Sequence, residues 1–207
     1  MKVAKRLLMM AAVAATLGTV GLTGLGATSD RRQGEAPAPP ALDAMGALRA
    51  PASAATAVPD SAREALAALP GASVGQARLL ISGIGSGGYA VSAEPAADGG
   101  VCVTTPVGGG CISTFPAAGV SFSAGMNNDG RAKPSDRELI AGIASDGVRR
   151  IAAVTNAGTF SVHLRSNAFV YEAPAVGVWA DALRITFADG TRSRVVVSNA
   201  NRAEPIP

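Results

Sequence analysis

The sequence predicts an all-β protein, a small antiparallel sandwich or open barrel led by one short N-terminal helix. Three observations carry this. From Ala77 onward, short β-type runs alternate with Gly, Asn and Asp punctuation. No stretch after residue 70 holds an apolar period near 3.6 for the length of a core helix. The 207 residues, less an apolar start and an Ala/Pro-rich stretch, leave room for one domain of about 130 residues.

Met1 to Arg6 is basic, and Leu7 to Ala27 is a run of 21 residues without a charge. This is the pattern of an export segment, and it is also long enough to span a bilayer as a helix. Residues 1–27 are therefore read as a signal peptide or a signal anchor, with both forms left open. In either case the basic flank keeps the cytoplasmic side and places Thr28 onward outside. No cysteine follows the run to carry a lipid, and Arg31 and Arg32 lie behind it, where a twin-arginine signal does not. The expected location is secreted, or anchored on the outer face of the plasma membrane.

Residues 28–59 are dominated by Ala and Pro and hold no aromatic side chain, so they read as a disordered tether. The β-rich domain is assigned to 60–200, with 201–207 as a tail. Ser61, Ala62, Arg63 and Glu64 fit a capping box, with Ala62, Leu66 and Leu69 at helical spacing and Pro70-Gly71 as the stop. The strands expected are Arg78 to Ser82, Tyr89 to Glu94, Val101 to Thr105, Cys111 to Phe115 and Val120 to Ser123. Leu139 to Ala144, Val148 to Thr155, Thr159 to Arg165, Ala168 to Glu172, Leu183 to Ala188 and Thr191 to Ser198 follow.

Two connections are testable, because a one-residue slip turns every side chain to the other face. A three-residue loop at Asn156-Ala157-Gly158 would pair Val154 with Phe160 and Ala152 with Val162. A three-residue loop with Gly190 in a bulge would set Leu183, Ile185 and Phe187 on one face with Val195 and Val197.

The formal charge of +3 comes from Lys2, Lys5 and Arg6, and from Thr28 onward fifteen Lys/Arg meet fifteen Asp/Glu. A balanced, interspersed surface has no field to steer a polyanion, which argues against nucleic acid as a partner. Membrane contact is expected only through residues 1–27, if they are retained. Cys102 and Cys111 are the only cysteines, and an even pair in an exported chain reads as a disulfide. Pro106 and Gly108 to Gly110 between them are expected to turn a tight hairpin.

Gly83 to Gly88 match G-x-G-x-x-G, yet Tyr89 to Ser92 alternate like a strand where a dinucleotide site needs a helix N-terminus. The segment is read as a glycine turn, with no cofactor. Gly125 to Asp136 resembles a calcium loop that has lost its first ligand, and is read as a surface turn. His163 is the only histidine, which argues against zinc sites and leaves one candidate base, expected on a solvated sheet face. No G-x-S-x-G elbow singles out a serine. No catalytic or metal-binding residue is assigned. Tyr171 and Trp179, which flank Pro174, are the candidate ligand-contact aromatics.

Two stretches together carry a resemblance. Val101-Cys102-Val103 leads through a glycine-rich turn to Cys111, and Gly142 to Val148, with Asp146-Gly147-Val148 at its end, leads through Thr159 to Val162 into Asn167-Ala168-Phe169-Val170. Residues 75–172 thus resemble exported proteins of actinobacteria that carry this pattern. The resemblance implies export and the disulfide hairpin, and it carries over no functional residues. The function expected is a non-catalytic cell-envelope or secreted β-domain that binds an unknown extracellular ligand or envelope protein, or serves a structural role. The alternatives are an extracellular hydrolase and a membrane-anchored sensor or inhibitory module.

Overall fold

One strand run lacks alternation, and it lies at the centre of the molecule. Leu139 to Ala144 are apolar in unbroken succession, as a strand covered on both faces should be. The computed structural model describes residues 40–51, 56–73, 75–126 and 136–198. The segment 1–27, the first part of the expected tether, positions 127–135 of the calcium-like loop and the tail 201–207 lie outside the described residues. Within them run β1 (Arg78–Ile84), β2 (Tyr89–Pro95), β3 (Val101–Thr105), β4 (Gly108–Ile112), β5 (Val120–Met126) and β6 (Glu138–Ala144). After these come β7 (Val148–Thr155), β8 (Gly158–Ser161), β9 (His163–Arg165), β10 (Ala168–Glu172), β11 (Ala180–Phe187) and β12 (Arg192–Val196). Ahead of the strands lie a 3-10 turn (Ala41–Ala44), the single turn α1 (Gly46–Arg49) and the helix α2 (Asp60–Ala67).

The strands pair antiparallel into three sheets, β1-β2-β3-β4, β5-β6-β10-β9 and β12-β11-β7-β8, without closing a barrel. The expected sandwich is thus present, with a third layer. Leu139, Ala141, Ile143, Ala168 and Val170 of the middle sheet pack with Leu80, Val91, Ala93, Val101 and Val103 of the first. Their neighbours Ile140, Ala144, Phe169 and Tyr171 point the other way, against Ile151, Ala153, Leu183 and Ile185 of the third sheet. Every residue of β6 is buried as a result. Gly142 is required by space: a Cβ there would run into the carbonyl oxygen of Ser121 and lie 2.7 Å from Cα of Phe122 on β5.

The loop after β11 matches expectation. Leu183 pairs with Val195 and Ile185 with Ser193, Phe187 N donates to Thr191 O, and Gly190 takes a left-handed φ of 85°. The β7–β8 turn does not match. Ala153 opposes Phe160 and Val154 opposes Thr159, a two-residue connection in which Gly158 (φ 132°) already belongs to β8. The buried face of β7 is Ile151 and Ala153, so the apolar row assigned to Ala152 and Val154 is the half-exposed one. The single strand expected from Thr159 to Arg165 is also divided. At buried Val162, whose N–H donates to Ile151 O, the chain leaves the third sheet and enters the middle one, a sheet-switching corner.

Residues 40–50 correct the tether. Ala41, Met45 and Leu48 are buried in the first core, at a helical spacing hidden among Ala and Pro. The carboxylate of Asp146 accepts the Gly46 N–H at 2.8 Å and the Arg49 guanidinium at 2.9 Å. Asn167, at φ 62°, accepts the Ala47 N–H at 3.0 Å and donates to Asp146 at 2.9 Å. The Asp-Gly-Val and Asn-Ala-Phe stretches therefore act here as a clasp that receives the N-terminal turn.

The capping box is corrected as well. α2 begins at Asp60 after Pro59, and no side chain caps it. Asp60 and Arg63 form an exposed pair at 3.0 Å, which adds little. What holds α2 is Leu66, fully buried against Ala96 and Cys102. Cys102 faces Cys111 across β3 and β4, and the two form a disulfide. The hairpin turns at Pro106 and Val107, and the three glycines lie in β4. Replacing both cysteines by alanine is expected to cost about 2–3 kcal/mol in urea unfolding, from the loop entropy alone. Trypsin cleavage at Arg63 should rise in the same variant, because Leu66 loses its seat.

Candidate binding groove

The face of β2 and β3 that carries α2 holds polar residues that read in sequence as a solvent face. Ser92 and Glu94 alternate with Val91 and Ala93 along β2 and stand opposite Thr104 and Cys102 of β3. Coverage by α2 buries them: Ser92 is 1 % exposed and Glu94 2 %. The Ser92 hydroxyl and Oε1 of Glu94 have no hydrogen-bond partner among the described residues. Toward the N-terminal end of α2 the helix and sheet part to leave a groove of about 300 Å³. Pro59, Ala62 and Ala65 form one wall, Ala90 and Ser92 the floor, and Thr105 and Pro106 the far end. A shallow, mainly apolar trough suits a small apolar or extended peptide group, with the Ser92 hydroxyl covered beneath its floor.

Glu94 lies deeper than the groove, next along the same face. Burial raises its carboxyl above the ordinary 4.5, so the folded chain holds this proton more tightly than the unfolded one. The stability this group supplies is complete below about pH 4.5 and drains away as pH rises through the raised value. Glu94→Gln should remove that slope. It should be more stable than the parent at neutral pH, with the difference closing near pH 4.5, as read by urea melts at the two pH values. A variant weaker than the parent at neutral pH would mean that the carboxylate form is compensated.

No family model matches the chain, and no curated protein or solved structure matches it. The functional reading rests on geometry.

The structure disperses the residues singled out from sequence. Tyr171 is a core residue, 3 % exposed, and is corrected as a ligand contact. Its hydroxyl is pushed up to about 12 by burial and, secondarily, by the charge of Glu138. Trp179 is half-buried and pinned to the β7–β8 turn, where its backbone N–H donates to Asn156 Oδ1 and its carbonyl accepts the Asn156 N–H. His163 is exposed on β9, at the edge of the middle sheet and away from Ser92. The glycine turn docks two layers. Ser86 N–H and Oγ–H donate to the two oxygens of Glu172 at 2.7 and 2.5 Å, and a Cβ at Gly87 would strike the Tyr89 ring. Of the calcium-like loop, Asp136 is buried. Among the described residues no three His, Cys, Asp or Glu side chains converge on one point.

Ser92 and Glu94 were missed because the alternation that marks a half-exposed strand is the same whether water or a helix covers its polar face. The signal within reach was Leu66, an apolar residue in the leading helix that needs a sheet to sit on.

Proposed function

We propose that this chain is an extracytoplasmic β-domain that acts by binding or structural display in the cell envelope, secreted or held at the outer face of the membrane by residues 1–27. The carrying observation is the Cys102–Cys111 disulfide, with Cys102 fully buried beneath Leu66, so that oxidation underpins both the hairpin and the helix on it. Such a bond persists in an oxidising compartment. The binding reading draws support from the groove under α2 and from titratable side chains scattered over different layers: Glu94 beneath α2, Glu138 at the start of β6 and His163 on β9. Among the described residues no helix is long and apolar enough to cross a membrane, so anchoring would fall to residues 1–27.

The test is the intact mass of the native chain, with and without reduction, recovered separately from membrane and medium. The oxidised species should be lighter by the two thiol hydrogens. A chain that starts near residue 28 in the medium would make it secreted, and a full-length chain confined to the membrane would make it anchored. A full-length chain with free thiols, found in the cytosol and in neither the membrane nor the medium, would overturn the extracytoplasmic reading.

A further inference from the structure

Charges that balance along the chain gather locally as arginines on one face of the fold. In the third sheet, residues directly opposite share a face: Arg184 stands opposite Arg194 on one side and Ala152 on the other, and Thr186 lies between Arg192 and Arg150. With Ile185 and Leu183 buried inward, all of these look away from the core. At the end of this row the ladder slips, Phe187 pairing with Val148 after Thr186 with Arg150. The extra residue lets Arg149 and Arg150 both be exposed while Val148 and Ile151 stay buried.

Arg150, Arg184, Arg192 and Arg194 therefore occupy one face across β7, β11 and β12, with Arg149 exposed beside them at the slip. No ion pair among the described residues involves any of them. Asp189, the nearest acid in the connecting loop, is turned to Thr191, whose N–H and hydroxyl both donate to its Oδ1 at 2.8 and 2.6 Å. Like charges placed directly opposite, as Arg184 and Arg194 are, oppose folding. Asp181 is the one acid within these strands, and four arginines without an ion pair among the described residues leave guanidinium groups open to an anionic partner.

We propose that this face docks on an anionic bilayer surface. Guanidinium forks match phosphate oxygens bidentately. The charges are spread over the width of three strands, as a lipid surface requires. Next along the row, beyond Arg194, Val196, 64 % exposed, opposes Ala182 and is one of two large apolar side chains left open among the described residues. An apolar tip at the end of an arginine row suits the boundary of headgroup and acyl chain. The proposal deepens the binding reading and rests on it for the side of the membrane concerned.

The experiment is arginine labelling by phenylglyoxal on the full chain with its disulfide formed, read residue by residue by mass spectrometry. Phosphatidylglycerol-containing vesicles should protect Arg150, Arg184, Arg192 and Arg194, and leave Arg63 on α2 and Arg165 on β9 unchanged. Pure phosphatidylcholine vesicles should protect none, since an inserted N-terminal segment alone does not cover this sheet. Removing two charges by Arg184→Gln with Arg194→Gln should weaken protection of Arg150 and Arg192, by about fivefold per charge in vesicle concentration. These exposed positions leave the fold intact, which the unchanged disulfide mass and circular dichroism verify. Protection by soluble polyphosphate but not by vesicles would overturn the lipid assignment, and protection by neither would overturn the surface. Neither failure touches the thiol masses that test the extracytoplasmic reading.

Discussion

Gly142→Ala is expected to lose about 3–5 kcal/mol, which leaves little or no folded protein in a domain of ordinary stability. Gly142 takes no left-handed conformation, so backbone strain is not the reason. The reason is that the added methyl meets backbone, Ser121 carbonyl and Phe122 Cα, and not the end of a side chain that could swing away. That backbone cannot retreat, because β6 is held by β5 on one edge and β10 on the other and is covered on both faces. Far-ultraviolet circular dichroism and urea unfolding of the purified variant check it. A variant as stable as its parent would mean that β5 lies farther from Gly142 than the pairing of Phe122 with Gly142 requires.

Met45→Ala should cost about 2–5 kcal/mol, the range for emptying a buried methionine site. Met45 is fully buried in the first core, while its flanks run through a stretch of Ala and Pro. The loss distinguishes the two readings of residues 40–50, because alanine in a disordered tether would change nothing. The same melts should show Asp146→Ala weaker in its own right, since the Gly46 N–H and the Arg49 guanidinium would lose their shared acceptor. Met45 and Asp146 belong to one docking event, so their double variant should lose less than the sum of the two.

How far the fold could be read from sequence varied with the chemistry of each face. The hairpin after β11 was legible because Leu183, Ile185 and Phe187 alternate with Ala182, Arg184 and Thr186, and only one register keeps the arginine out of the core. The β7–β8 hairpin was not, since Ile151, Ala152, Ala153 and Val154 are apolar on both faces and alternation cannot choose between them. The third layer was foreshadowed by the unbroken run in β6, a feature that a two-layer sandwich does not need.

The candidate groove was illegible for a different reason. Ser92 and Glu94 are buried by a helix that arrives from residues 60–67, and such coverage leaves no mark in the strand itself. The arginine face was masked by bookkeeping: equal totals of acid and base say nothing about how strand periodicity sorts them in space. Arg184, Arg192 and Arg194 share a face only because β11 and β12 pair in the one register that spares the core.

The clasp on residues 40–50 orders events in time. Gly46 meets Asp146 across 100 residues of chain, and Ala47 meets Asn167 across 120. A chain emerges N-terminus first, from the ribosome or through a translocation pore, so a segment made before every strand finds part of its seat at Asp146 and Asn167, well after the first sheet. Residues 41 and 42 can dock early, through Ala41 N–H to Ser113 O and Leu42 N–H to Gly99 O, whereas Gly46 and Ala47 must wait for Asp146 and Asn167, so tension on the N-terminal side meets the contacts beside β3 and β4 before it reaches the clasp.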